Sequence, residues 1–316
     1  MTALLSLLLL GVLLATVAPG RLARARWAER EPVLALCVWQ CLVVAVLLCC
    51  VLSLLLACAA ALPDLRALVF AGAPHGVEAA YGLAEAAGWG RLWAALLAAG
   101  GLWTAVSLVR EVRAARALRG HQHDRLSRSA PELPPGLGAA ERARERLVVL
   151  EDNRAQAWSL PGSAARLVVT TGALQQLSPE ELAAVLSHER GHVRARHHWL
   201  AQCAQALADG FPGVGVFSAF RDQVGELVEL AADDRAARRH GRLTTALALV
   251  ELNSGRGVFG SCTPRQLAQS PRRVDRLLAG EPRLRKAHRL RLTLVALAAP
   301  AAAVLLAAWP GLAALF

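Results

Sequence analysis

Ser178-Pro179-Glu180-Glu181-Leu182-Ala183-Ala184-Val185-Leu186-Ser187-His188-Glu189-Arg190-Gly191-His192 reads as one capped helix that closes on the pattern H-E-x-x-H. Ser178 suits the N-cap, Pro179 the first helical position, and Glu181 completes a capping box. Leu182, Val185 and Leu186 then recur at helical spacing. Residues four apart stack on one helix face, so the imidazoles of His188 and His192 point at one spot. Two neutral imidazoles converging there suit a zinc ion, and Glu189 beside them can take a proton from water at the metal. With nine histidines in the chain, a chance H-E-x-x-H is expected at roughly the one-per-cent level. A charged surface helix with two incidental histidines is therefore the weaker reading.

Away from this helix the chain is apolar in blocks. Its 316 residues are 55% hydrophobic, above the usual share of a soluble domain. Residues 2–18, 33–62, 92–109 and 292–316 are runs long enough, or nearly so, to cross about 30 Å of hydrocarbon as helix. The first run could be a cleaved signal peptide, but no Lys or Arg precedes it, and Arg21, Arg24 and Arg26 follow it, which favours an uncleaved span. We therefore expect an N-terminal membrane region over 1–109 with three transmembrane helices, a polar domain over 110–291, and a C-terminal transmembrane helix over 292–316.

Positive charge orients the spans. Arg21, Arg24, Arg26 and Arg30 follow the first, Arg110, Arg113, Arg116 and Arg119 follow the third, and Arg283, Arg285, Lys286 and Arg289 precede the fourth. The loop between the second and third spans has no positive excess. Both termini are then expected outside, with residues 110–291 in the cytoplasm under the plasma membrane. The net charge of +11 is explained by these flanking arginines against anionic lipid. No recognition motif for nucleic acid accompanies them, so the expected partners are the lipid bilayer and no nucleic acid. Five of the seven cysteines lie within the second run, and neither Cys203 nor Cys262 belongs to a C-x-x-C pair, so no disulfide or cysteine metal site is expected.

Within 110–291, a basic helix leaves the third span and Pro131–Gly138 reads as a linker, followed by a helical turn at Ala139–Arg146. Leu147–Leu150, Ala155–Leu160 and Arg166–Thr171 read as three short strands, with Pro161-Gly162 as a turn. Ala155-Gln156-Ala157-Trp158-Ser159-Leu160 is either an ordinary edge strand or one that pairs with an extended peptide. After His192 the helix is expected to run on through His197 and His198, which read as outer-shell or interfacial groups. The apolar stretch 199–220 is broken by Gly and Pro, and reads as a hairpin that dips into the bilayer surface or packs over the H-E-x-x-H helix.

A catalytic zinc site keeps three protein ligands and one open position. In the helical segment 222–239, Glu226, Glu229 and Asp233 share a face. Glu229 can bind metal while Asp233, one turn later, orients a histidine through its free N–H.

Four pieces together resemble the integral-membrane zinc peptidases (gluzincins) that include the CAAX prenyl protease, the bacterial heat-shock membrane protease and the antirepressor proteases of β-lactam sensing. They are A-W-S-L-P-G before R-L-V-V-T-T-G, the helix from Leu177 to His197, E-L-A-A-D at Glu229–Asp233, and S-P-R-R-V-D-R-L-L from Ser270. The resemblance covers most of 147–278. It implies a mainly α membrane protein with four transmembrane helices and a cytoplasmic α+β zincin-like protease domain holding a small β-sheet. It implies His188, His192 and Glu229 as ligands of one Zn2+ ion, Glu189 as general base, Asp233 as the outer partner, and Ala155–Leu160 as the substrate-pairing strand.

The expected activity is that of a membrane-embedded zinc-dependent endopeptidase on cytoplasmic or membrane protein substrates, with regulatory proteolysis of a repressor as the antirepressor group suggests. One piece departs from the pattern: Ser270 stands where many relatives have a histidine that steadies the oxyanion, leaving Arg276 and His240 as candidates. The fourth span ends near the last residue, so no extracellular sensor domain is expected after it. The competing reading is a non-enzymatic membrane signalling or scaffold protein whose structural zinc is closed by a fourth ligand, His197 or Asp234. A transporter fits less well, because the runs lack buried ionisable residues.

Overall fold

Helices dominate the described residues, as long runs rich in Ala and Leu favour. The computed structural model describes residues 2–74, 76–83, 87–129, 147–160, 166–254, 264–280 and 282–315. The expected linker, the turn of helix before Leu147 and the Pro161-Gly162 turn lie outside these residues. In chain order come α1 (Thr2–Thr16), α2 (Ala18–Ala23), α3 (Trp27–Arg30), α4 (Pro32–Ala61), α5 (Pro63–Val69), α6 (Val77–Ala80) and α7 (Ala87–Ser129). Strands β1 (Leu147–Leu150), β2 (Ala157–Leu160) and β3 (Arg166–Thr170) follow. The chain continues with α8 (Thr171–Gln176), α9 (Pro179–Arg194), α10 (His197–Gly210), α11 (Gly215–His240), α12 (Arg242–Ser254), α13 (Pro264–Ala279) and α14 (Lys286–Ala313).

Four helical stretches are long and apolar enough to cross a membrane: Thr2–Ala23, Pro32–Ala61, Gly90–Ala114 and Lys286–Ala313. They overlie the four apolar runs of the sequence. The chain divides into two compact units, one of Met1–Val109, Ala204–Gln223 and Leu284–Phe316, the other of Arg110–Cys203 and Val224–Arg283. In the first, Leu7 of α1, Cys49 of α4 and Ala303 of α14 are buried together, with Leu48, Leu52 and Leu306 around them. Leu9, Val51, Leu102 and Val295 point outward and are exposed, as side chains facing lipid would be. Small residues set the spacing: a Cβ on Gly90 would stand 2.8 Å from Ala60 Cβ and 3.1 Å from the Ala57 carbonyl, so the third spanning helix touches α4 backbone to backbone.

The 199–220 stretch runs from α10 into α11 and is broken between Gly210 and Gly215, where the Gly and Pro residues stand. The segment Ala204–Gln223 groups with the apolar helices. Phe220 lies 6.4 Å from Trp39 by ring centroids, and a Cβ on Gly210 would meet Thr104 Cα at 3.3 Å. This segment therefore packs on α4 and α7.

The second unit holds a three-stranded sheet ordered β1-β3-β2. β1 runs parallel to β3, and β2 is antiparallel to it. Val148, Leu150, Trp158 and Val168 share one face, while Leu147, Ala157 and Val169 pack on the other against α8, α9 and α12. This is the period of two that β-branched strands dictate. The described strand β2 starts at Ala157, two residues later than expected. Gln156 N–H donates to Thr170 Oγ1 at 2.9 Å in place of a ladder carbonyl, and Thr170 Oγ1 caps α8 by accepting from Ala173 N–H. That one hydroxyl ends the ladder and starts the next helix.

Candidate metal and catalytic site

Helix α9 begins as its sequence demands. Glu181 N–H donates to Ser178 Oγ at 3.3 Å and Ser178 N–H donates to Glu181 Oε2 at 2.9 Å, closing a capping box. Its other end departs from expectation. The helix stops at Arg194 instead of running through His197, and Arg196 takes a left-handed φ of 52°. On an unbroken helix a residue five positions on is turned about 140° away. The bend at Arg196 cancels that rotation and returns His197 to the ring of His192.

Helix α11 crosses α9 closely at one point. A Cβ on Gly191 would lie 3.5 Å from Ala232 Cα and 3.2 Å from Arg235 Cδ, so the glycine between the motif residues admits the second helix. The crossing sets two i, i+4 pairs against each other, His188 and His192 on α9 facing Glu229 and Asp233 on α11. The Nε2 atoms of His188 and His192 are 3.0 Å apart. Glu229 Oε2 is 3.5 Å from His188 Nε2, and Glu229 Oε1 is 3.6 Å from His192 Nε2. Donors around a tetrahedral zinc at bond lengths of about 2.0–2.2 Å stand about 3.4 Å from one another. The triangle has that size, and its two imidazoles and one carboxylate are ordinary zinc ligands, so the residues fit one ion. Among the described residues these three form the metal-competent group.

Each of the two histidines is held from behind. His188 Nδ1 lies 3.0 Å from Asp233 Oδ1, and His192 Nδ1 lies 3.0 Å from His197 Nδ1. Asp233 is itself gripped by Arg273, whose Nε donates to Oδ2 at 2.8 Å and whose Nη2 donates to Oδ1 at 2.7 Å. Arg273 Nη1 also reaches Glu229 Oε2 at 3.0 Å. Arg273 and Asp233 are buried, at 7% and 1% exposure, which is tolerable for charges only because they pair.

Burial pulls His188 down, but hydrogen bonds to Asp233 and Glu229 outweigh it and push the imidazole up to about 10. Burial and the neighbouring His188 charge hold His192 down at about 3. Burial likewise takes His197 to about 4. Glu229 resists its own burial through the His188 hydrogen bond and the His192 and Arg273 charges, and stays at about 2. Asp233 overcomes burial through Arg273 and remains well below the usual carboxylate range. Glu189, next along α9, goes the other way: burial pushes its carboxyl up, against the His188 charge and hydrogen bonds from the side chain and backbone of Ser159. A carboxyl raised above its ordinary value is suited to accept and return a proton.

The sequence-predicted residues divide as follows. His188, His192, Glu229 and Asp233 come together. Glu189 is tied to Ser159, which sits in the expected substrate strand. Thr170 N–H donates to the Gln156 carbonyl, so by alternation the main-chain groups of Gln156, Trp158 and Leu160 face β3 and those of Ala157 and Ser159 face away. Ala155 lies just before β2 and is buried in the sheet–helix core. Asp234 is engaged by Arg276 Nη2 at 2.6 Å, His240 is the last residue of α11, seven positions beyond Asp233, and Ser270 is buried. Glu226, on the face that carries Glu229, is not one of the three metal-competent groups.

Sequence reasoning passed over Arg273 in favour of Arg276, three residues on. The signal was present in S-P-R-R-V-D-R, because two arginines one turn apart on a helix facing E-x-x-x-D-D invite two ion pairs.

Comparison with known proteins bears on the same residues. No curated protein and no solved structure matches the chain. The family model described as Peptidase family M48 matches residues 121–252, a stretch that holds His188, Glu189, His192, Glu229 and Asp233 and stops before α13. That match supports a metallopeptidase similar to the M48 family, in a chain with four helices long and apolar enough to cross a membrane.

Proposed function

We propose that the protein is a membrane-embedded zinc endopeptidase whose site opens to the cytoplasm, with His188, His192 and Glu229 as the ligands. The observation that carries this reading is the triangle of two Nε2 atoms and one carboxylate, both Nδ1 atoms tied back, with Glu189 left outside the ligand set. When bound, zinc supplies Lewis-acid polarisation of the scissile carbonyl and brings the pKa of water to roughly 7. Glu189 takes a proton from the attacking water and delivers it to the leaving nitrogen as the C–N bond breaks. Asp233 fixes the orientation of His188 and raises its basicity. Ala157 and Ser159 offer main-chain groups on the open edge of β2 to an extended peptide. Positive charge flanking the spans supports the cytoplasmic orientation at the plasma membrane, and substrates are cytoplasmic or membrane proteins that present an extended segment. Cleavage of a regulatory repressor rests on the resemblance to the antirepressor proteases.

Glu189→Gln separates the roles. It should retain zinc while peptide cleavage falls by at least two orders of magnitude, whereas His188→Ala should lose both. A Glu189→Gln protein that still cleaves at the wild-type rate would show that this carboxylate is not the base.

A further inference from the structure

His197 is buried, at 7% exposure, and its Nδ1 meets the Nδ1 of His192 at 3.0 Å with the two rings nearly perpendicular. The Nε2 of His192 faces His188 and Glu229, which leaves only Nδ1 to carry its proton when Nε2 is a ligand. Two Nδ1 atoms at hydrogen-bond distance need one donor and one acceptor. His192 must therefore donate, and His197 must accept with its own proton on Nε2.

We infer that His197 is the positioning residue of His192, doing with a neutral imidazole what Asp233 does for His188 with a carboxylate. This rests on the metal-site reading above. Three features support it. The left-handed turn at Arg196 is a conformation that non-glycine residues rarely adopt, and it is what folds His197 back onto His192. His197 opens α10, so its backbone is held by a helix separate from α9. His192 has its second nitrogen on His197 in the way that ligand histidines are ordinarily oriented, by a hydrogen-bond acceptor behind the ring. The site is thus held asymmetrically, with an anion behind one ligand and a neutral ring behind the other.

The test uses the full-length protein in detergent. Zinc affinity is measured by competition with a chromophoric chelator for wild type, His197→Phe and His197→Asn. Phenylalanine keeps the ring's bulk but accepts no hydrogen bond, and should weaken zinc about 10–100-fold. Asparagine places an amide oxygen near the former Nδ1 and should stay within about threefold of wild type. A phenylalanine variant that binds zinc as tightly as wild type overturns the inference while leaving the metal site standing. Wild type that binds no divalent metal overturns both. A second measurement avoids substitution: wild type loaded with cobalt(II) should show two hyperfine-shifted, slowly exchanging imidazole N–H resonances, one per ligand histidine. One such resonance, the other lost to exchange with water, would mean that nothing accepts from His192.

Discussion

Arg273→Met removes the guanidinium that joins α13 to α11, and its cost can be worked from the contacts it makes. Arg273 bonds both oxygens of Asp233, at 2.7 and 2.8 Å, and reaches Glu229 at 3.0 Å. The side chains of Arg273, Asp233 and Glu229 are 9%, 2% and 15% exposed, so solvent screens the cluster little. Breaking a buried pair by removing one partner costs roughly 3–5 kcal/mol, because a charge is left uncompensated. Both carboxylates keep His188, at 3.0 and 3.5 Å, which puts the expected loss near the lower end, about 3 kcal/mol. At roughly 2–4 °C per kcal/mol, metal-free protein should melt about 6–12 °C lower.

The pH dependence of that loss has a definite sign. Glu229 and Asp233 are depressed in the folded state, so their contribution is present above their ordinary values and disappears as pH falls through the folded ones. The wild type should lose this share as pH drops from about 4.5 towards about 2. The variant should lose less of it, because Arg273 no longer lowers the two carboxyls while His188 still does. Thermal unfolding of chelated protein at pH 7 and at pH 3 reads both effects. An Arg273→Met protein that melts within about 1 °C of wild type at pH 7 would refute the reasoning.

Two further outcomes follow from the same unit. Histidine nitrogen shifts of chelated protein should show His188 still protonated at pH 8, with His192 neutral at pH 5, as values of about 10 and about 3 require. The raised group stabilises the metal-free fold below its ordinary value of 6.5, and that support should fade as pH rises through about 10; a His188 that titrates near 6.5 would remove the hydrogen-bonded cluster as its cause. At Arg196, glycine should be neutral or stabilising by up to about 1 kcal/mol and valine destabilising by at least that much, read by unfolding midpoints. Equal midpoints for the two would contradict the left-handed turn.

What the sequence revealed and what it hid have separate physical causes. The spans were legible because uncharged runs of this length have few other uses, and α9 was legible because its cap, its apolar spacing and its two histidines agree. Glu229 and Asp233 could be singled out because local spacing on one helix places them on a common face. The Arg196 bend was hidden, since an arginine inside an apparently continuous helix carries no signal for positive φ, and His197 was accordingly assigned no partner. The grip of Arg273 was half legible: the pair of arginines one turn apart stands in the sequence, while the place where α13 packs is a long-range fact that local spacing does not give. Gly191 could have been noticed, because a glycine inside a helix weakens it unless something must come close.

The four-residue strand β2 is also the open edge of its sheet, and only Ala157 and Ser159 turn their main chain outward. The N–H of Ser159 is already engaged by Glu189. A peptide laid along this edge would find two or three backbone bonds, each contributing about 1 kcal/mol net. In the proposed peptide-pairing role, so few bonds would give only a transient grip on a visiting chain. Selectivity among visitors must then come from side-chain fit and from a segment already lingering nearby, and far less from the strand's own hold.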